Sequence, residues 1–220
     1  MSLLIFDCDG VLVDSEVLAN AALADLMTAL GRPMTTEEAI GTFTGRRLPD
    51  VLALAEALLG RAVPADLGER AGAAMLERLR RELKAVAGVR EAIAALPAPR
   101  CVASSSTRER IALSLEVTGL APLFGDRVFS AEQVAHGKPA PYLFLFAAAS
   151  MGVAPQDCIV IEDSPLGIRA ACSAGMTAVG FAGASHATPQ LAKLLAEEGA
   201  SVVLLSMQDL PAAVRSLMRI

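Results

Sequence analysis

Residues 2–10 read Ser2-Leu3-Leu4-Ile5-Phe6-Asp7-Cys8-Asp9-Gly10. The segment Ser2–Phe6 is apolar after its first residue, with no alternation of polar and apolar side chains. That pattern predicts a strand covered on both faces, as in a parallel sheet packed between helices. Working outward, similar runs recur at Arg100–Ala103, Arg127–Phe129, Cys158–Ile161, Thr177–Phe181 and Ser201–Leu204. Helical patterns lie among them at Val89–Leu96, Arg108–Thr118, Tyr142–Met151, Leu166–Ala174, Gln190–Glu198 and Asp209–Met218. Strands alternating with short helices predict repeated βα units, hence an α/β protein with a mostly parallel sheet.

One interval breaks this rhythm. Between Ser15 and Lys84 no strand pattern appears. Leu18, Ala22, Leu26 and Ala29 form an apolar stripe ended by Gly31 and Pro33. A second helix is expected near Leu48–Leu59, stopped by Gly60, and a third over Ala65–Leu83 with charges opposite Met75, Leu79 and Leu83. The expected organisation is a core domain from residues 1–14 and 85–220, with a helical cap domain, 15–84, inserted after the first strand.

The 220 residues amount to about one and a half domains, which suits a core with a smaller insert. Hydrophobic residues make up 54%, excluding a disordered chain, and the aromatic content of 4% argues against a base-stacking surface. A net charge of −5 disfavours polyanions, so no nucleic-acid partner is expected. The chain shows neither a basic leader nor a run of about 18 apolar residues, so neither export nor membrane association is expected. Cys8, Cys101, Cys158 and Cys172 form no CxxC pair and read as small buried residues in a reducing cytoplasm. With only His136 and His186, a three-histidine zinc site is excluded.

Ligands of open parallel sheets bind at the carboxyl ends of the strands. There the first strand presents Asp7 and Asp9, the second Ser104, Ser105 and Ser106, and the fourth Glu162 and Asp163; His136-Gly137-Lys138-Pro139 follows the third. Asp7 and Asp9 are two apart, so in extended chain both project to the same side. Two such acids stay ionised only beside a cation; otherwise one of them holds its proton. With Asp163 they make an oxygen-rich nest for Mg²⁺. Gly10 permits a sharp turn that aims main-chain N–H groups at an anion, while Ser104 and Lys138 suit phosphate oxygens. Together these groups fit phosphoryl transfer, which depends on positioning and charge neutralisation.

Plainer readings stand beside these. Ser105, Ser106 and Thr107 read as helix caps, and Asp14-Ser15-Glu16 as a turn or cap. Lys138 reads equally as a solvated loop charge, and Glu162-Asp163 as the acidic start of a helix. Arg46 and Arg47 read as surface charges, and His186 as part of a surface loop.

The order of these segments resembles the haloacid dehalogenase-like superfamily over essentially the whole chain. Asp7 to Glu16 is similar to its first motif, Ala103-Ser104 to the second, Gly137-Lys138-Pro139-Ala140-Pro141 to the third, and Ile161 to Ile168 to the fourth. The insert resembles the cap of the subgroup that holds β-phosphoglucomutase and many small phosphatases. The resemblance implies a Rossmann-like parallel core with a helical cap that closes over the site. It implies that Asp7 is a nucleophile forming an aspartyl-phosphate and that Asp9 is the acid and then the base. It further implies Mg²⁺ held by Asp7, Asp163 and the Asp9 carbonyl, with Glu162 acting through water. Phosphoryl oxygens would meet Ser104, Lys138 and amides near Gly10 and Ser105. Asp9 argues against the dehalogenases and phosphonate hydrolases, which change that position. Ala19 and Leu48 stand where the mutase resemblance calls for histidine and arginine. The expectation is therefore a monomeric phosphatase acting on a small phosphorylated metabolite. A sugar phosphomutase is the alternative, and a non-catalytic metabolite sensor a third reading.

Overall fold

The computed structural model describes residues 2–43 and 48–218. Six strands, β1 (Leu3–Phe6), β2 (Arg100–Ser104), β3 (Val128–Ser130), β4 (Cys158–Glu162), β5 (Thr177–Phe181) and β6 (Val202–Leu204), form one sheet. The order is β3-β2-β1-β4-β5-β6 and every pairing is parallel. This is the strand order of the Rossmann-like folds. All six strands fall where the sequence pattern predicts them.

Two compact units make up the chain. One joins Met1–Asp14 to Lys84–Ile220 and the other is Ser15–Leu83. The helices of the second unit are α1 (Glu16–Ala29), α2 (Thr36–Phe43), α3 (Leu48–Leu59) and α4 (Leu67–Glu82). Those of the first are α5 (Val89–Ala94), α6 (Arg108–Val117), α7 (Ala121–Phe124), α8 (Tyr142–Ser150), α9 (Pro165–Ser173), α10 (Leu191–Glu197) and α11 (Leu210–Leu217).

In the sheet unit, β1 lies between β2 and β4 and all four of its residues are buried. Leu3 and Ile5 enter a cluster with Leu143, Phe144 and Ala147 of α8 and with Ile168 and Ala171 of α9. Phe6 meets Phe124 edge-on, with ring centroids 5.9 Å apart. Each such aliphatic or aromatic side chain contributes ~1.5–3 kcal/mol on burial. Small alanine side chains of α8 and α9, among them Ala147, Ala148, Ala170 and Ala171, let those helices pack closely in this cluster. The chain leaves this unit after Asp14 and returns at Lys84; Val13 bridges Ala85, and the Asp14 N–H donates to the Lys84 carbonyl at 3.0 Å.

The helical unit has its own core of Ala24, Met27, Ala39, Phe43, Val51, Ala55 and Leu67. The buried face of α1 carries Asn20, Ala24 and Met27 besides Ala22, whereas Ala29 of the expected stripe is exposed. Ala24 and Met27 turn inward because α2, which the sequence reading does not anticipate, supplies Ala39 and Phe43 against them. α2 begins with a reciprocal cap. The Glu38 N–H donates to Thr35 Oγ1 at 3.1 Å, and the Thr35 N–H to Glu38 Oε2 at 2.7 Å.

Candidate active site

Where the chain reverses direction across a parallel sheet, a crevice opens at the carboxyl ends of the strands. Here that point lies beside β1, which β2 and β4 flank. Asp7 follows the last residue of β1 and is anchored by its N–H, which donates to the Ile161 carbonyl at 2.9 Å. Ser104 ends β2, Glu162 ends β4, and Asp163 comes next.

Lys138 is buried at the centre, not solvated. Its Nζ donates to Asp7 Oδ1 and to Glu162 Oε1, each at 2.6 Å, and to the Ala103 carbonyl at 3.2 Å. The ring of Phe144 lies beneath, 4.9 Å away. Burial alone would lower the affinity of Lys138 for its proton. The charges and hydrogen bonds of Asp7 and Glu162 outweigh that effect and hold it above the usual lysine value. Burial raises Asp7 well above the usual aspartate range; Lys138 pulls it back, while Glu162, Asp163 and Asp9 push it further up.

Glu162 is fixed by more than Lys138. Its Oε2 accepts from the Ser164 N–H at 2.8 Å and the Ser164 hydroxyl at 2.9 Å, and Ser164, the cap of α9, accepts in turn from the Gly167 N–H. A Cβ at residue 167 would strike the Glu162 carboxylate, so the site requires glycine there. Glu162 and Asp163 thus belong to the site and not merely to the start of α9. Asp163 Oδ2 lies 3.1 Å from His186 Nε2, and the His186 side chain is only 9% exposed. His186 is therefore a member of the site, a correction to the surface-loop reading. The neighbouring Ser185 donates its hydroxyl to Asp14 Oδ1 at 2.6 Å, which gives Asp14 a tertiary role beyond a turn. Gly10 adopts φ +78, and a side chain there would collide with Asp163 and His186. Its N–H donates to the Val13 carbonyl at 2.8 Å, so Gly10 serves the site by its turn and its lack of a side chain and not by an open amide.

Asp9 stands apart from this cluster. Its Oδ1 accepts from Arg110 Nη2 and its Oδ2 from the Ser106 hydroxyl, both at 2.6 Å. Ser106 is thus a partner of Asp9, not a cap; Thr107 is the cap of α6 and accepts from the Arg110 N–H. Ser104 is buried, and its Oγ accepts from the Ser106 N–H at 3.1 Å, which leaves the hydroxyl proton for an acceptor. Ser105 is exposed. Arg46 and Arg47 lie outside the described residues.

Oxygen atoms of Asp7, Glu162 and Asp163 lie within 4.8 Å of one another. Among the described residues, the carboxylates of Asp7, Glu162 and Asp163 outnumber the Lys138 ammonium, and repulsion from Glu162 and Asp163 adds to burial, the larger cause, in raising the proton affinity of Asp7. Carboxylate oxygens crowded in this way match the preference of a hard cation such as Mg²⁺. The fit is good.

The family profile of haloacid dehalogenase-like hydrolases matches residues 1–175. The chain is 31% identical over 185 residues to 6-phosphogluconate phosphatase of Escherichia coli K12, covering 84% of each protein. A haloacid dehalogenase-like protein of unknown function from Agrobacterium tumefaciens superposes with a TM-score of 0.88 at 39% identity, over 99% of both chains. A family hydrolase from Deinococcus radiodurans, solved with bound phosphate and sodium, gives 0.83 at 33% identity, over 99% of this chain and 96% of that one. No helix among the described residues is long and apolar enough to cross a membrane. With six parallel strands in Rossmann order, acids at their carboxyl ends and a profile match over most of its length, the chain belongs to the haloacid dehalogenase-like hydrolase family.

Proposed function

We propose that this protein is a Mg²⁺-dependent phosphatase that hydrolyses a small soluble phosphomonoester, a sugar phosphate or related metabolite, through an aspartyl-phosphate on Asp7. The observation that carries this reading is the separation of two nearby aspartates into different settings. Asp7 sits among acids beside Lys138, while Asp9 is held by Arg110 and Ser106.

Asp7 Oδ attacks phosphorus as the bond to the ester oxygen breaks, and Asp9 gives its proton to the departing alkoxide. Asp9 then takes a proton from water as that water attacks phosphorus. The bond to Asp7 breaks, releasing inorganic phosphate and restoring the carboxylate. General acid–base help of this kind is worth about 10²–10⁴-fold in rate. Lys138 and the Ser104 hydroxyl bind phosphoryl oxygens, with the Ser105 amide as a further donor. Asp7, Asp163 and Glu162, with the Asp9 carbonyl, would hold Mg²⁺, which supplies positive charge against the transferring phosphoryl group. The helical unit, taken as a cap over residues 15–84, is proposed to close over the site, exclude water and select the substrate. We take the protein to act in the cytoplasm as a monomer on its metabolite alone.

Incubation with a panel of phosphorylated metabolites and Mg²⁺, scored by phosphate release, tests the reading. Turnover that vanishes in Asp7→Asn is expected. No turnover on any member, or undiminished turnover in that variant, overturns it. Isomeric product formed with a bisphosphate activator and little free phosphate would point to a mutase instead.

A further inference from the structure

We propose that Arg110 is the positioning residue of Asp9. It fixes Asp9 Oδ1, and Oδ2, the oxygen beside Ser106, is the one that exchanges protons with the substrate and with water. The kinetic part of this inference rests on the phosphatase reading above; the structural part does not.

Three observations carry it. The first is the pairing itself, because each oxygen of Asp9 has its own donor at 2.6 Å and the two donors differ in kind. A guanidinium can only donate, so the oxygen facing Arg110 has no use for a proton of its own. A hydroxyl donates or accepts by rotating. Ser106 can therefore donate to an ionised Oδ2 and accept from a protonated one, with no movement of heavy atoms.

The second observation concerns where Arg110 stands. It is the third residue of α6, and its side chain is only 16% exposed. A cation in the first turn of a helix opposes the helix dipole, at ~0.3–1 kcal/mol. A half-buried cation there that is not serving the helix is explained by the carboxylate it meets 101 residues away in sequence.

The third observation is that both struts have a fixed base. The Ser130 hydroxyl donates to the Ser106 carbonyl at 2.7 Å, and Glu132 Oε2 accepts from the Arg108 N–H at 2.8 Å. Thr107 accepts from the Arg110 N–H itself. The segment carrying Ser106 and Arg110 is thus tied to the end of β3, so the Asp9 carboxylate is aimed by a braced loop and not by its own rotamer alone.

The test compares Arg110→Gln and Arg110→Lys with the parent protein on two substrates. p-Nitrophenyl phosphate has a leaving group that needs no proton, whereas an alkyl phosphate such as glycerol phosphate does. A residue that acts by aiming the acid should lower kcat/KM for the alkyl ester by about 10²-fold in Arg110→Gln and for the nitrophenyl ester by less than about 5-fold. Arg110→Lys, which keeps the positive charge, should recover part of the loss and serves in place of Arg110→Gln if that variant does not fold. In an Asp9→Asn background, Arg110→Gln should add less than about 2-fold. Equal losses on both esters, or a full further loss in the Asp9→Asn background, overturn the proposal and make Arg110 a substrate or structural residue. A crystal structure of the variant decides the structural part without turnover. The Asp9 carboxylate should leave its present orientation while Asp7, Glu162 and Asp163 keep theirs; an unmoved Asp9 overturns the inference. A parent protein with no turnover on any ester counts against the phosphatase reading and leaves that crystallographic result to decide this one.

Discussion

Replacing Lys138 by methionine removes the ammonium that the structure places between Asp7 and Glu162, at 2.6 Å from each. The side chains of Lys138, Asp7 and Glu162 are 5%, 9% and 1% exposed, so water cannot take over the lost contacts. Breaking a buried ion pair from one side costs about 3–5 kcal/mol. In a chain of this size each kcal/mol lowers Tm by ~2–4 °C, so Lys138→Met should melt about 6–20 °C lower near pH 8 in EDTA. The pH dependence has a definite sign. Lys138 is held above its ordinary value, so its contribution is complete at every pH below that value and is lost only in strong alkali. Asp7 is held above 3.8, so the folded state binds more protons than the unfolded one once pH exceeds ~4. Stability of the metal-free protein therefore falls as pH rises through that window, and the fall should steepen without Lys138. The measurement is thermal unfolding of both proteins in EDTA from pH 5 to pH 9. A penalty under about 1 kcal/mol at pH 8, or one that grows toward pH 5, would refute the electrostatic account of this site.

Other consequences are open to direct measurement. Gly167→Ala would push against the Glu162 carboxylate, so it should destabilise the protein by about 1–3 kcal/mol although alanine is the better helix former; a stabilised variant contradicts the packing. His186→Ala frees Asp163 from its 3.1 Å partner and should weaken Mg²⁺ binding by about 10-fold in calorimetry, as loss of an outer-shell partner does; unchanged affinity would make His186 a bystander. An aromatic disulfide reagent should label one thiol, Cys172, in the native protein. Cys101 and Cys158 are shielded, with burial pushing their thiols to about 12 and about 11. Labelling at either of these before unfolding contradicts the core.

Most of the core was legible because it depends on local pattern. The unbroken apolar runs of β1 and β4 require cover on both faces, and acids following such runs must lie at the carboxyl edge of the sheet. α2 was also legible in principle, since Thr35 and Glu38 form the spaced cap that marks a helix start, but its few apolar residues gave a weak period. Cys172 faces solvent, contrary to the buried reading of all four cysteines, because helical spacing turns it away from Ala170 and Ala171. The partners of Asp9 and Asp163 were harder to foresee. Arg110, Ser106 and His186 reach them across 101, 97 and 23 residues, and no local period encodes such meetings. One signal was present: an arginine in the first turn of α6 conflicts with the helix dipole, and such conflicts tend to mark functional positions.

The central claim concerns the chemical fate of Asp7. Enzyme quenched during turnover and reduced with borohydride should yield homoserine at position 7, because an acyl phosphate is reduced while a free carboxylate is not. Phosphate release continuing with residue 7 recovered only as aspartate, or with the reduced residue found elsewhere, would contradict the account.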